Sequence, residues 1–264
     1  MSLIPVSKLP SEQTDYLRVP EAKRDYNEIL FAEVARRYDL VTRALSLGRD
    51  QAWKRALLDS LPDGEAAPHG GSPVCVDLAC GTGDVAFSLA RRYPRGTVCG
   101  VDLTPEMLAI ARAKNQFPNV SLELGDMHRL SFPADGVDIV TGSYALRNAP
   151  SLPVALQEIH RVLRPGGTAA FLDFSKSPNW LWQRLAHAVL YVWGGFWGLV
   201  LHGQPAVYAY IAKSLWHFPD RVALREELAR VGFVEVSSRQ FYFGTLELIA
   251  VVKPLDEPER ADGE

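Results

Sequence analysis

Apolar residues recur along the middle of the chain with the spacing of buried strands and of amphipathic helices in alternation. Short apolar runs typical of strands occupy residues 74–79, 97–103, 120–124, 137–144 and 168–174. Helical spacing follows the first, second and fourth runs. Thr104 and Pro105 suit an N-cap and a first helical position, and Pro165-Gly166-Gly167 is expected to end the helix after the fourth run. This repeated strand–helix pattern predicts a parallel sheet with helices on both faces, an α/β fold.

The two ends of the chain differ from this middle part. Residues 31–38 have helical spacing, and residues 62–73, rich in Pro, Gly and Ala, predict a loop. A helix that ends at Gly232 precedes strand-like runs at 233–240 and 245–252, whose short link favours an antiparallel hairpin. We therefore expect an N-terminal helical lid (1–61), a main domain (74–253) and a disordered charged tail (254–264).

Composition and charge narrow the class of protein. Of the 264 residues, 47% are apolar and 22% are charged, values typical of a globular protein. The formal net charge of -3 provides no global basic field, so we expect no nucleic-acid partner. The cysteines form no CxxC pair, which argues against a disulfide scaffold and a structural zinc site. The chain begins with prolines where a signal peptide has an apolar core, so we expect a cytoplasmic protein.

One stretch is far more apolar than its surroundings. Between residues 185 and 201 the only strongly polar side chain is His187, and this length is at the lower edge of a membrane span. The tryptophans of 180–203, with Gly194, Gly195 and Gly198, argue against a smooth core helix, although a buried helix is the alternative. A span would separate the last helix and the hairpin from their own sheet. We expect an apolar cap, inserted at 178–217, that touches a membrane surface.

A glycine-rich turn lies between the first predicted strand and the next helix. The sequence VDLACGTGD (76–84) lets a ligand approach the backbone at Gly81 and Gly83, where a side chain would collide. With Ala86 these glycines also satisfy GxGxxA, so they alone leave a dinucleotide open. Asp102, at the end of the second strand, suits a ribose in either case because a carboxylate accepts two hydroxyl hydrogen bonds.

Two further acids favour S-adenosylmethionine over NAD. Asp77 lies within the first strand, where its carboxylate can accept a hydrogen bond from an ammonium group that NAD does not offer there. Asp126 follows the third strand, where it can accept from an adenine amino group. Acid-rich strand ends suit a cationic sulfonium and suit a pyrophosphate poorly. Ordinary capping acids would explain any one of these residues, whereas three in order at successive strand ends favour a cofactor site.

Four segments carry a family resemblance. They are residues 37–55 (RYDLVTRALSLGRDQAWKR), 76–84, 143–148 (SYALRN) and 161–177, which contains RVLRPGG and LDFSKS. Through them the chain, from about residue 31 to residue 252, resembles the ubiquinone/menaquinone biosynthesis C-methyltransferase family of class I S-adenosylmethionine-dependent methyltransferases. Many methyltransferases share the glycine loop, but the first segment, LRN and FSK together are specific to this family.

The resemblance implies a fold, a reaction and a set of cofactor contacts. The fold is Rossmann-like, with a seven-stranded, mostly parallel sheet that ends in the antiparallel hairpin. The reaction is methyl transfer from S-adenosyl-L-methionine to a ring carbon of a prenylated quinol. By position, the cofactor contacts fall on Thr82, Asp102, Asp126, Met127 and Ser143.

Two departures from the family pattern concern the acceptor pocket. Thr42 stands where the family usually has Asn. Near the end of the chain, FYFGTLELIAVVK stands where many members have paired glycines and a His. Both positions would line the pocket, so they leave the acceptor open while the cofactor expectation stands.

A base or a cation is expected beside the acceptor, because a quinol carbon becomes nucleophilic when an adjacent hydroxyl loses its proton. Arg147 and Asn148 follow the fourth strand and should face the methyl group. Arg147 can hold a phenolate through its fork of donors, or else form an ion pair with a neighbouring helix. Tyr38 and Asp39, from the lid, are candidate proton acceptors or relays, although lid packing also explains Tyr38. His202 is a candidate base, and we expect no metal site.

Three other functions compete with this prediction. One is a methyltransferase for another hydrophobic acceptor, such as a polyketide, a sterol or a phenol. Another is a non-catalytic protein that binds S-adenosylmethionine or scaffolds a quinone-synthesis complex, which the intact glycine loop and Arg147 argue against. An NAD-dependent dehydrogenase is the most distant. The expected partners are a hydrophobic quinol-like substrate and a membrane surface, and a homodimer is a candidate assembly.

Overall fold

A single sheet lies at the centre of the molecule in the computed structural model, which describes residues 17, 19–63, 68–203 and 205–255. Its strands are β1 (Val74–Leu78), β2 (Thr97–Asp102), β3 (Val120–Leu124), β4 (Val137–Ser143), β5 (Leu163–Phe174), β6 (Val234–Phe241) and β7 (Leu246–Val252). Their order is β3-β2-β1-β4-β5-β7-β6. The first five strands pair in parallel, and β7 pairs antiparallel with both β5 and β6. The predicted fold class and its C-terminal hairpin are confirmed.

Helices connect the strands and precede the sheet. In the described part of the chain they are α1 (Pro20–Val34), α2 (Tyr38–Leu45), α3 (Asp50–Asp59), α4 (Pro68–Gly71), α5 (Asp84–Arg92), α6 (Pro105–Lys114), α7 (Leu152–Val162), α8 (Trp180–His202), α9 (Ala206–His217) and α10 (Arg221–Val231). A short 3-10 helix, Leu146–Asn148, follows β4. It carries two of the residues that the sequence singles out.

Apolar side chains from both faces of the sheet form two core clusters. Successive residues of a strand point to opposite faces, so Val76 and Leu78 of β1 join one cluster and Cys75 joins the other. Ile139 and Val140 of β4 divide in the same way. Each fully buried side chain of this size contributes about 1.5–3 kcal/mol. Burial on both faces explains why these strands appear as unbroken apolar runs.

A third cluster joins the N-terminal helices to the cap. Tyr26, Leu30 and Val34 of α1 pack with Met107 of α6 and with Tyr210 of α9. The rings of Tyr26 and Tyr210 lie 5.1 Å apart. The N-terminal helices, α6 and α9 therefore share one apolar interior.

Two local expectations are wrong. The run Pro165-Gly166-Gly167 does not separate a helix from a strand, because α7 ends at Val162 and β5 begins at Leu163. Gly166, with φ +79°, donates its N–H to the Lys253 carbonyl at 2.8 Å and keeps this stretch in the sheet. The expected loop at 62–73 contains the single turn of α4. Residues 1–16, 64–67 and 256–264 lie outside the described residues, and so does most of the expected disordered tail.

The apolar segment forms one continuous helix, α8, of 23 residues, and its glycines do not interrupt it. Among the described residues, α8 is the helix that is long and apolar enough to cross a membrane, and its stretch Trp180–Leu201 has a mean hydropathy of 1.2. Only 11% of its most apolar part is buried inside the protein, so α8 is not a core helix. It packs against α9 and α2 and leaves an apolar face uncovered.

Candidate active site

The carboxyl ends of β1 and β4 lie side by side where the strand order reverses, the usual ligand site of an open α/β sheet. The glycine turn follows β1. Gly81 has φ +55° and Gly83 has φ +94°, conformations that glycine adopts without steric cost. Gly83 also caps α5, and a Cβ at this position would collide with the Phe87 ring. The turn therefore requires its glycines for backbone shape and for packing.

Two buried polar atoms beside this turn have no hydrogen-bond partner of good geometry in the described structure. They are Oδ2 of Asp77, in β1, and Oγ of Ser143, at the end of β4. The other oxygen of Asp77 accepts from the Thr141 hydroxyl at 2.8 Å. Burial, the largest cause, raises the pKa of Asp77 to about 7. A buried acceptor without a donor is costly, and a cationic or donating ligand removes that cost.

Asp102 ends β2 and holds the turn in place. Its two oxygens accept the backbone N–H of Gly81 at 2.7 Å and of Thr104 at 2.8 Å. Burial raises the pKa of this carboxyl, and the two backbone donors oppose that rise. An ionised carboxylate has about four lone-pair sites, so both oxygens can still accept a ribose hydroxyl.

Asp126 and Met127 follow β3 and complete the same cleft. One oxygen of Asp126 accepts the His128 backbone N–H at 2.9 Å. The other lies 3.5 Å from Nη1 of Arg24, in α1. The segment that follows β3 is therefore in contact with α1.

The cleft brings together residues from four strand ends and from the lid. Gly81, Asp102, Asp126, Met127 and Ser143 line it, as do Asn27, Phe31 and Tyr38 from the N-terminal helices. Its volume of about 70 Å³ is small against the roughly 300 Å³ or more of ordinary ligand sites. Phe31 and Tyr38 form part of this wall, so their side chains must turn aside for a nucleoside to fit.

Thr82 and Asp39 are hydrogen-bonded to each other, and neither lines one of the two cavities. The Thr82 hydroxyl donates to Oδ1 of Asp39 at 2.6 Å, and Lys114 of α6 pairs with the same carboxylate. Asp39 therefore ties α2 to the glycine turn. Neither residue is among those that line the two cavities, so their predicted contacts with the cofactor and the acceptor stay predictions.

A second, much larger cavity lies next to the cleft. Its volume is about 640 Å³, and its walls come from α1, α2, the 3-10 helix after β4, α8, α9 and the hairpin. Most lining side chains are aliphatic or aromatic, among them Leu30, Trp193 and Ile211. Among the residues that the structure describes, four line both cavities: Phe31, Tyr38, Tyr144 and Asn148. A hydrophobic molecule in the large cavity would therefore meet whatever occupies the cleft at this shared wall.

Arg147 lies on the wall of the large cavity and is only 4% exposed. Its backbone N–H donates to Oδ2 of Asp173 at 2.9 Å, and its Nε lies 3.5 Å from Oδ1 of the same carboxylate. Its guanidinium also bonds to the Ser214 hydroxyl and lies 5.4 Å from the Phe174 ring centre. The ion pair is thus made to the end of β5 and not to a neighbouring helix as expected, and it holds the cation in one orientation.

Asn148 and Tyr38 occupy the shared wall. The Asn148 amide donates to the Tyr144 carbonyl at 2.8 Å, and its Oδ1 accepts from the Tyr210 hydroxyl at 3.2 Å. Burial is the largest cause of the raised pKa of Tyr38, so its phenol stays protonated at neutral pH. This favours a donor or relay role for Tyr38 over that of the first base. The His202 side chain lies outside the described part of the structure.

Sequence reasoning missed the residues that support this wall. Asp173 could have been found, because it is an acid inside the apolar strand run AAFLDF. Lys23, Asn27 and Tyr210 are single polar positions on helices and gave no comparable signal. Among the described residues, no group of three or more His, Cys, Asp or Glu side chains is placed to hold a metal ion.

Comparison with known proteins decides the family. The model of the ubiE/COQ5 methyltransferase family matches residues 19–253. The chain belongs to the ubiE/COQ5 methyltransferase family. It is 35% identical to a ubiquinone/menaquinone biosynthesis C-methyltransferase, UbiE, of Rubrivivax gelatinosus, over 89% of this chain and 90% of that protein. It is 36% identical to a demethylmenaquinone methyltransferase of Thermus thermophilus, over 77% of this chain and 91% of that protein.

Solved structures support the fold of this ubiE/COQ5 family member. A geranyl diphosphate C-methyltransferase from Streptomyces coelicolor A3(2) has a TM-score of 0.57 and 17% identity, with 87% of this chain and 84% of that chain covered. A SAM-dependent methyltransferase from Aquifex aeolicus has a TM-score of 0.53 and 14% identity, with 80% and 98% covered. These structures support the class I fold, and the family match with its relatives shows a methyltransferase whose cofactor is S-adenosylmethionine.

The residues of the cleft fit that cofactor. Ser143 lines the cleft, and its partnerless hydroxyl can bond to the amino-acid end of the molecule. Asp77 is not among the lining residues, so the contact of its partnerless oxygen with an ammonium group stays a prediction. Asp102 retains acceptor sites for a ribose, and Asp126 with Met127 provides an acid and an apolar side chain for an adenine. An acidic cleft suits a cationic sulfonium. Individual residue contacts stay predictions.

Cofactor affinity is expected to weaken below neutral pH, because Asp77 must be ionised to pair with an ammonium group. The raised pKa of about 7 means that a bound proton must leave as the ligand binds. Affinity is therefore full above that pKa and falls about tenfold per pH unit below it. Titration calorimetry with S-adenosylhomocysteine between about pH 5.5 and pH 7.5 measures this slope. Asp77→Asn should abolish the slope, and a flat profile in the unmodified protein would contradict the assignment.

Proposed function

We propose that this protein methylates a ring carbon of a prenylated quinol of the demethylmenaquinol kind. The observation that carries the proposal is the apolar cavity of about 640 Å³ that shares four wall residues with the cofactor cleft. A cavity with few polar side chains suits an aromatic ring that bears a hydrocarbon chain. The names of the relatives support the same class of acceptor.

The chain's own residues position the acceptor. Bound S-adenosylmethionine supplies a methyl group on a sulfonium, which is already a good leaving group. What the protein adds is in-line placement of the ring carbon and exclusion of water. Phe31 and Tyr144 contact both compartments, so we assign them the placement of the ring at the shared wall.

Arg147 supplies the positive charge that stabilises the phenolate form of the acceptor. Asp173 and Ser214 hold its guanidinium in place before any substrate arrives, so little reorganisation accompanies the reaction. The protonated Tyr38 hydroxyl is a donor to the quinol oxygen or relays its proton toward solvent. The proton of the methylated ring carbon also leaves to solvent, which restores the aromatic ring. The neutral Asn148 amide orients the same oxygen.

Quinone profiling tests the proposal. A strain that lacks this protein is expected to accumulate a quinone lighter by one methyl group, detected by mass spectrometry. Complementation with the unmodified gene should restore the methylated quinone, and complementation with an Asp102→Ala variant should not. An unchanged quinone profile in the deletion strain would contradict the proposed acceptor.

We further propose that α8 rests on a membrane surface and that the protein is cytoplasmic and peripheral. Leu181, Leu185, Val192, Phe196 and Leu199 follow one helical face, and each is more than half exposed. An exposed apolar stripe of this length is typical of helices that lie in a membrane interface. A prenylated acceptor resides in the same phase.

The rim of the acceptor cavity continues this apolar surface. Leu47 and Phe243 line the cavity although they are 67% and 103% exposed. Both have positive φ, +52° and +54°, a conformation that costs a bulky residue roughly 1–3 kcal/mol. Strained backbone that presents apolar side chains at a cavity rim favours entry of the hydrocarbon chain from lipid.

Vesicle flotation tests the membrane contact. The Leu181→Lys/Val192→Lys variant is expected to lose at least about tenfold in binding to phosphatidylcholine vesicles, because two apolar side chains no longer enter the interface. Val222→Lys/Val236→Lys, which adds the same charges at exposed valines of α10 and β6, is the matched control. If the protein stays in the soluble fraction and elutes as a dimer that the α8 variant dissociates, a second copy covers this face instead.

A further inference from the structure

The segment that carries Arg147 and Asn148 is held from outside by α1. The Lys23 ammonium donates to the carbonyl of Arg147 at 2.9 Å and to that of Ala149 at 2.6 Å. The Asn27 amide donates to the carbonyl between them, that of Asn148, at 2.8 Å. Three consecutive carbonyls at the end of the 3-10 helix Leu146–Asn148 thus accept hydrogen bonds from two side chains one turn apart on α1.

These bonds matter because carbonyls at the end of a helical turn have no partner within the turn. Without α1 the carbonyls of residues 147–149 would have to turn toward water, and the side chains on that turn would turn with them. The Lys23 ammonium suits this position, since one cation can satisfy two carbonyl oxygens at once. Burial lowers the pKa of Lys23 to about 8, and the ammonium stays charged at neutral pH.

The same helix also contacts the cofactor cleft. Arg24, next to Lys23, lies 3.5 Å from Asp126, and Asn27 and Phe31 line the cleft. Asn27 further bonds to the Tyr210 hydroxyl of α9, whose ring lies 5.8 Å from the Arg147 guanidinium. Helix α1 therefore contacts Asp126, the turn that carries Arg147 and Asn148, and helix α9.

We propose that Lys23 and Asn27 are positioning residues that fix the Arg147–Asn148 turn in its reactive conformation, so that closure of α1 over the cofactor assembles the acceptor site. The cofactor enters while α1 is displaced, and its return restores the three carbonyl bonds. Acceptor binding is thereby coupled to cofactor binding through one element. The acceptor side of this inference rests on the proposed function.

Kinetics with a prenylated demethylquinol as acceptor test the positioning role. Lys23→Met and Asn27→Leu are each expected to lower kcat about 10- to 100-fold. Lys23→Met, whose side chain lines neither cavity, should change the KM for S-adenosylmethionine less than about threefold. Lys23→Arg, which keeps the charge and two donors, should recover most of kcat. The double variant should lose less than the product of the two single losses, because both side chains hold one turn. Arg36→Met, an exposed cation just after α1, is the matched control.

Amide hydrogen exchange tests the coupling without any acceptor. In the unmodified protein, S-adenosylhomocysteine is expected to slow exchange in residues 144–149, and in Lys23→Met/Asn27→Leu this protection should disappear although the ligand still binds. Variants that lose thermal stability but keep kcat, or that keep the protection, would overturn the inference. Failure of the unmodified protein to methylate the quinol would remove the proposed acceptor and leave the exchange result to decide the coupling.

Discussion

Replacing Arg147 with Met is expected to lower turnover about 100- to 1,000-fold, the usual effect of removing one preorganised group that stabilises developing negative charge. The affinity for S-adenosylhomocysteine should change little, because Arg147 lines the acceptor cavity and not the cleft. Turnover at saturating acceptor and calorimetric binding of S-adenosylhomocysteine measure the two effects separately. Unchanged turnover would exclude Arg147 from the mechanism.

The buried partner of Arg147 complicates this variant and suggests a control. Without the guanidinium, the carboxyl of Asp173 lies in an apolar setting where burial already raises its pKa, and it is expected to take up a proton instead of staying charged. Some stability is therefore lost together with activity. Arg147→Lys keeps the charge and should lose less turnover, whereas Arg225→Lys tests an arginine paired with Glu247 that lines neither cavity.

Asp102→Ala is expected to weaken S-adenosylhomocysteine binding about 100- to 10,000-fold. The two ribose hydroxyl bonds predicted for this carboxylate would be lost, each of about 1.5–3 kcal/mol. The N–H groups of Gly81 and Thr104 also lose their acceptor, so the glycine turn is less well ordered. Titration calorimetry measures the dissociation constant.

Glu123→Ala is the matched control for this prediction. Glu123 is an exposed acid of the neighbouring strand β3, and its carboxylate accepts from Ser131. Its loss should leave the dissociation constant within about twofold. An equal weakening in both variants would point to general charge rather than to Asp102, and no weakening in Asp102→Ala would place the ribose elsewhere.

Most of the fold could be predicted because the inner strands are buried on both faces. Such strands stand out as unbroken apolar runs between turns, and the short link before β7 allowed only a hairpin. Two local features could not be predicted in this way, because tertiary contacts override the local preferences of their residues. Gly194, Gly195 and Gly198 each disfavour a helix by about 1 kcal/mol, yet α8 continues because it packs along α9. Pro165-Gly166-Gly167 suggests a break, yet hydrogen bonds to Lys253 keep it in the sheet.

The cofactor side of the site could be predicted further than the acceptor side. Asp77, Asp102 and Asp126 come at or within strand ends, and parallel strands bring their carboxyl ends to one edge. Lys23 contacts a carbonyl 124 residues away, and a single lysine on an amphipathic helix carries no sign of that partner. The sequence places Asp39 in the N-terminal helical segment, but the direction of its side chain, toward Thr82, depends on how α2 packs.

The two cavities share a wall, and this bears on inhibition. Among the described residues, Phe31, Tyr38, Tyr144 and Asn148 line both compartments. One compound that links an adenosyl group to a hydrocarbon tail would fill both at once, and each half would raise the local concentration of the other. Enzymes that recognise the nucleoside alone would bind only half of such a molecule, so its selectivity would come from the tail.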